Sequence, residues 1–147
     1  MKIYRNLSFD RSTKHRGEHG NAILDPLKVV VPAGAEAGDQ MLIDTGTNDM
    51  VYTSISLQRE ALTAGLTVDV GVRDKAGSWE DPDYFAAAVD LSAPGQDELL
   101  VVPVEVRDPD NRRCEHDVII TFGGTVTPGE VFWIVSDKLS FGAPAAA

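Results

Sequence analysis

Three histidines and a single cysteine are the side chains of this 147-residue sequence best suited to chemistry, and their spacing decides what they can do. Cys114 and His116 stand two apart in the run Arg112–Asp117, with His15 and His19 far upstream. Zinc sites draw paired ligands from two parts of a chain; here one half-pair stands alone, so a solvated hairpin tip is expected. As nucleophile and base the same pair lacks a group to orient the base and any identifiable oxyanion donor. Carboxylates at Asp74, Glu80, Asp81 and Asp83, and the turn Asp108, Asp110, Asn111, offer hard oxygens for calcium, but neither follows the spacing of a calcium-binding loop. Trp79, Tyr84 and Trp133 are the raw material of a sugar-stacking platform. The apolar alternation around Trp133 instead predicts a core residue, and Trp79 is expected to cover a loop. A Gly-rich phosphate loop, a His–Glu zinc motif and a G-x-S-x-G elbow are all missing. The expectation is a protein with no catalytic residues, no cofactor and no metal: not an enzyme.

Charge points to a different kind of site. The first twenty residues carry five basic and two acidic side chains, whereas the remainder carries eight basic and twenty-one acidic. An acidic body is a poor partner for nucleic acid, whose phosphates need neutralising cations. No apolar run approaches the length of a membrane span, and the first ten residues lack a signal peptide's apolar centre; no membrane partner is expected. The basic stretch itself, through Lys2, Tyr4, Arg5, Phe9, Arg11, Lys14 and Arg16, is the candidate partner-binding segment, an arm that orders on an acidic surface.

The elements that must present these residues are strands. Val51–Leu57 and Leu66–Val72 alternate apolar and polar residues, the period of a half-buried strand. Leu27–Val31, Met41–Thr45, Asp117–Phe122 and Val131–Val135 read similarly. Leu99–Val106 is apolar on both faces, as in a strand covered on both sides, with Pro103 marking an edge or bulge. One helix is expected after Asp81: an N-cap, Pro82 at the first helical position, Asp83 in the first turn, and Phe85, Ala88 and Val89 on one face. Short strands spaced by turns give an all-β fold, an antiparallel β-sandwich of jelly-roll or immunoglobulin-like type, with one short helix and an extended N-terminal arm. The boundaries expected are an arm over 1–22 (in which a first strand near Ile3–Phe9 is the alternative), a sandwich over 23–140 and a flexible tail over 141–147.

Within this pattern, Ala64–Gly65, the run Thr67, Asp69, Gly71, the acidic-aromatic stretch Asp83, Phe85, Ala86, Ala87, Ala88, and Asp90–Leu91 together resemble the small virion structural proteins of tailed bacteriophages. The segment 117–137, with its Gly-Thr-x-x-Pro-Gly turn leading into a last strand, is similar to the closing strand pair of those proteins. The resemblance spans roughly residues 39–137 and leaves the basic arm outside. It implies a capsid decoration (cement) protein, made in the host cytoplasm and placed on the head surface of the virion. Its partner would be the major capsid protein, and it would stabilise contacts between capsomers, often as a homo-oligomer, a trimer at threefold positions. The alternatives are a head–tail connector or tail-associated component and, from another class, a carbohydrate-binding module on a fibre or spike that uses Trp79 and Tyr84.

Overall fold

A computed structural model describes residues 1–6, 22–60, 62 and 65–140. Ten strands make up its regular structure: β1 (Ile3–Arg5), β2 (Ala22–Val30), β3 (Gln40–Gly46), β4 (Met50–Arg59), β5 (Leu66–Asp74), β6 (Glu80–Asp90), β7 (Gly95–Glu98), β8 (Val104–Glu105), β9 (His116–Gly124) and β10 (Val131–Ser140). One sheet has the order β1-β3-β9-β5-β6, the other β2-β10-β4-β7, with β8 also paired to β4. Apart from the parallel β1–β3 pair, every pairing is antiparallel. β2 pairs with β10 at the two ends of the chain, β3 with β9 inside them, then β4 with β7, and β5 with β6 as the innermost hairpin. That nesting of a folded-over hairpin across two sheets is the winding of a jelly roll, and it separates the two sandwich types that the sequence left open.

The core lies between the sheets. Met41, Ile43, Val68, Val70, Val72, Ile120 and Phe122 face Leu27, Val29, Ile55, Leu57, Phe132 and Ile134, all buried. Alternation along each strand sends these residues inward. Where it fails, a β-bulge is responsible. On β4, Ser54 pairs with Asp137 and Tyr52 with Lys138, so Thr53 is an extra residue. On β3, Leu42 pairs with Ile119 and Asp44 with Val118, so Ile43 is extra. Each bulge reverses the facing of the residues beyond it, and so turns Tyr52 and Asp44 into the core.

Three sequence expectations are corrected. No helix occurs among the described residues; Asp81–Leu91, expected to hold one, is mostly β6. Pro82 costs no ladder bond there, because β6 is an edge strand and the register skips from Val72–Asp81 to Val70–Ala86 around it. Phe85 is buried and stacks edge-on against Tyr52, centroids 5.2 Å apart, while Ala88 is exposed at φ 49° with its N–H donating to Asp69 Oδ1 at 2.6 Å. The apparent helical face was a coincidence of spacing in a bulged strand. Leu99–Val106 forms only the two-residue β8, and Val101 and Val102 are 99% and 63% exposed; Pro103 keeps this apolar run out of the sheet. Trp133 is not core. On β10 the inward set is Phe132, Ile134, Ser136, Lys138 and Ser140, and Trp133 is 40% exposed on the outer face.

Candidate interaction surface and the polar cluster beneath the sheets

His116 lies at the start of β9, fully buried, not on a solvated hairpin tip. Its Nδ1 is 3.0 Å from the Cys114 carbonyl oxygen and its Nε2 is 2.7 Å from the Tyr52 hydroxyl. A carbonyl only accepts, so Nδ1 carries the proton, and Nε2 accepts from Tyr52. Burial drives the imidazole pKa down from 6.5 to about 4, with the carbonyl hydrogen bond opposing, which keeps the ring neutral. Both nitrogens are thus engaged away from the Cys114 thiol, whose pKa is raised by burial first and then by Asp108 and Asp74. A neutral thiol with no base aimed at it is not an activated nucleophile.

Around this pair is a polar cluster that ties one sheet to the other. Lys138 Nζ on β10 donates to Asp44 Oδ2 on β3 at 2.6 Å, with side chains 0% and 2% exposed, and lies 5.5 Å from the centroid of the Tyr52 ring. Asp44 Oδ1 accepts the Thr45 N–H at 2.8 Å. Asp49 accepts from Ser140 Oγ at 2.9 Å and from the Thr47 hydroxyl. Gly46 makes room for the arrangement: a Cβ there would sit 2.2 Å from His116 Nε2 and 2.9 Å from the Tyr52 hydroxyl. Sequence reasoning missed this cluster. The available signal was parity, since Ser136, Lys138 and Ser140 share the inward phase of Phe132 and Ile134.

Among the described residues no three of His, Cys, Asp and Glu converge as a metal site. The candidate calcium ligands have local duties instead. Asp74 accepts from the Ser78 hydroxyl, which holds its pKa below the usual carboxylate value. Asp81 shares a hydrogen bond with Asp83 that raises its pKa, and Asp108 Oδ1 accepts from the Arg112 N–H at 3.0 Å. Of the proposed sugar platform, Tyr84 uses its hydroxyl to donate to the Glu105 carbonyl at 2.9 Å and to accept from the Arg107 N–H at 3.1 Å. It thereby fastens β6 to the strip around β8. Trp79 lines a cleft of about 330 Å³ with Met1, Ile3, Gln40 and Arg73.

Of the candidate partner-binding residues, Lys2, Tyr4 and Arg5 belong to the first sheet. The Lys2 backbone N–H donates to Asp39 Oδ1 at 2.8 Å, its Nζ donates to the Gly34 carbonyl at 2.7 Å, and Tyr4 and Arg5 are in β1. Phe9, Arg11, Lys14 and Arg16 lie outside the described residues. Tyr4 and Arg5 also line a groove of about 570 Å³ between the open edges of the two sheets, with Pro26, Lys28, Met41 and Trp133. On its far side Trp133 and Lys28 line a second groove of about 670 Å³, with Gln58, Arg59 and Gly95. Exposed apolar residues Leu24, Val30, Trp133 and Leu139 lie on the outer face of β2 and β10, with Trp133 shared by the two grooves.

No protein-family model matches this sequence, and no curated protein matches it. Its fold does have a counterpart. A chain from the capsid of Ralstonia phage GP4 matches with a TM-score of 0.68, covering 96% of this chain and 99% of that chain at 13% sequence identity. The two share a fold end to end. A chain from infectious bursal disease virus (Gt strain) aligns at a TM-score of 0.38 and 8% identity, over 86% of this chain and 35% of that chain, too weak a likeness to argue from.

Proposed function

We propose that this protein is a virion structural component of a tailed bacteriophage, a decoration protein bound in many copies to the outer surface of the head. One observation carries the reading: the whole of this small jelly roll corresponds to the whole of a chain from a phage capsid, with almost nothing left over on either side. The match is to an entire small subunit rather than to one domain of a larger one. The interior fits a structural role, because its titratable groups are spent on cross-sheet contacts rather than presented in a cleft. The partner would be the major capsid protein, and copies grouped at threefold positions would bridge neighbouring capsomers, where many weak contacts on a symmetric shell reinforce one another. The basic residues Arg11, Lys14 and Arg16, together with Lys2, Tyr4, Arg5 and Phe9, would supply contacts to an acidic shell surface.

The test is co-sedimentation of the purified chain with heads of its phage stripped of it. Saturable binding over the head, weakened by added salt and by the triple variant Arg11, Lys14 and Arg16→Ala, is the expected result. The triple variant leaves β1 in place, whereas deleting the first twenty residues would remove an edge strand of the sheet. Full-strength binding by the triple variant would remove the arm from the proposal. Failure of the intact chain to bind heads would overturn the decoration role, and binding at one vertex alone would indicate a connector. Glycan binding that is lost on Trp79→Ala would indicate the carbohydrate module instead.

A further inference from the structure

Beyond its place on a shell, we infer that Lys138 and Asp44 are the two halves of an internal isopeptide bond, an amide that the folded chain forms across its own core. The two side chains come from different sheets, Asp44 from β3 and Lys138 from β10, and stand 94 residues apart in sequence. Lys138 Nζ donates to Asp44 Oδ2 at 2.6 Å, with both side chains almost wholly enclosed. Stability alone does not account for such a pair, because apolar residues in its place are often as good or better.

The fold supplies what condensation of these two groups requires. In water an ammonium and a carboxylate rest in charged, unreactive forms and do not join. Burial disfavours both charged forms, which favours passage of one proton along the hydrogen bond to leave an amine beside a carboxylic acid. Packed strands hold the two together, and well-oriented neighbours of this kind reach effective concentrations of about 10⁵–10⁸ M. Asp44 Oδ1 accepts the Thr45 N–H at 2.8 Å, a donor set at the atom on which negative charge develops during attack. The space beside Asp44, enclosed by Ile43, Tyr52, Ile55 and Ile134, is about 10 Å³, too small to admit bulk water.

The step balances without a co-reactant. One Nζ proton crosses to Oδ2, and the Nζ lone pair attacks Asp44 Cγ, with charge gathering on Oδ1. A second Nζ proton then passes to Oδ2, the Cγ–Oδ2 bond breaks, and water leaves. One ammonium and one carboxylate have become one amide and one water. Because the resting pair is ionised, conversion is slow, and newly made chain holds the ion pair. The finished bond replaces two buried charges with a neutral group and closes a long loop between the two sheets, a constraint that the unfolded chain must also carry.

Intact-mass spectrometry of the full chain, fresh and after a week in neutral buffer, tests the inference. The fraction lighter than the sequence mass by one molecule of water should grow with ageing. Trypsin does not cut after an acylated lysine, so its digest should contain residues 29–59 joined to residues 114–147, with fragment ions placing the link at Asp44 and Lys138. Lys138→Arg keeps a cation for Asp44, but its guanidinium does not condense, so this variant should hold its sequence mass. Should that variant fail to fold, the wild-type digest decides alone. The inference is overturned by aged chain that stays at its sequence mass, by loss of water with the two peptides still separate, or by the same loss in Lys138→Arg. None of these outcomes bears on head binding, so the two proposals fail separately. Unfolding of freshly prepared chain reports the ion pair and not the bond.

Discussion

Lys138→Met isolates the most consequential interaction of the interior. The ammonium of Lys138 and the carboxylate of Asp44 are 2.6 Å apart with side chains 0% and 2% exposed. At an effective dielectric of about 20 their attraction is about 6 kcal/mol, and removing each ion from water costs several kcal/mol. The pair is therefore close to neutral for stability while intact. Removing the cation alone leaves the Asp44 carboxylate buried beside Tyr52, and breaking a buried pair in that way costs about 3–5 kcal/mol. The thioether fills most of the lysine's volume, so little of the loss would come from a cavity. Urea unfolding followed by tryptophan fluorescence measures the change, and the midpoint should fall with little change in slope. Adding Asp44→Leu to Lys138→Met should recover most of the loss, because neither charge of the pair then remains. A single variant within about 0.5 kcal/mol of wild type, the range of an ordinary surface change, would refute the claim that this is a desolvated cross-sheet pair.

Other perturbations test the surrounding structure. The His116 pKa is depressed from 6.5 in the unfolded chain to about 4 in the fold, so the unfolded state binds the extra proton between those values. Stability is then full above pH 6.5 and falls as pH drops toward 4, by about 3 kcal/mol for this group. Asp117, whose pKa is raised by burial, works in the opposite sense. His116→Gln, assayed by urea midpoints across that window, should flatten the acid limb, and an unchanged limb would show that His116 is not the source. Gly46→Ala places a methyl 2.2 Å from His116 Nε2 and should cost about 1–3 kcal/mol in the same assay. Phe85→Ala, which removes a buried ring packed between Tyr52 and Tyr84, should cost about 3–5 kcal/mol, as expected of a core side chain carried by an edge strand.

The strand pattern was largely visible in the chain because Leu66–Val72 and Asp117–Phe122 keep a clean period of two. The failures occurred where two readings competed for the same residues. In Asp81–Leu91 the cap, the proline and the apolar spacing satisfied a helix locally, and long-range pairing with β5 overrode them, with Phe85 anchored on Tyr52 from the opposite sheet. In Val131–Ser140 both phases are rich in apolar residues, and the inward phase ends in Ser136, Lys138 and Ser140. Polarity therefore pointed to the wrong face, and Trp133 was placed inside. The polar cluster was illegible for a further reason. Asp44 and Tyr52 face inward because of bulges at Ile43 and Thr53, and a bulge is a property of the pairing between strands, which a single strand's sequence does not display. The basic residues near the start of the sequence were visible as charge, whereas the pairing that sets Trp133 beside Lys28 could not be seen in either strand alone.

The central claim is that this jelly roll decorates a phage head. Image reconstruction of heads of its phage, with and without the chain, tests that most directly. Density for a two-sheet domain repeated over the outer surface, present only when the chain is present, is the predicted result. Heads that look the same in both preparations, or density confined to a single vertex, would contradict it.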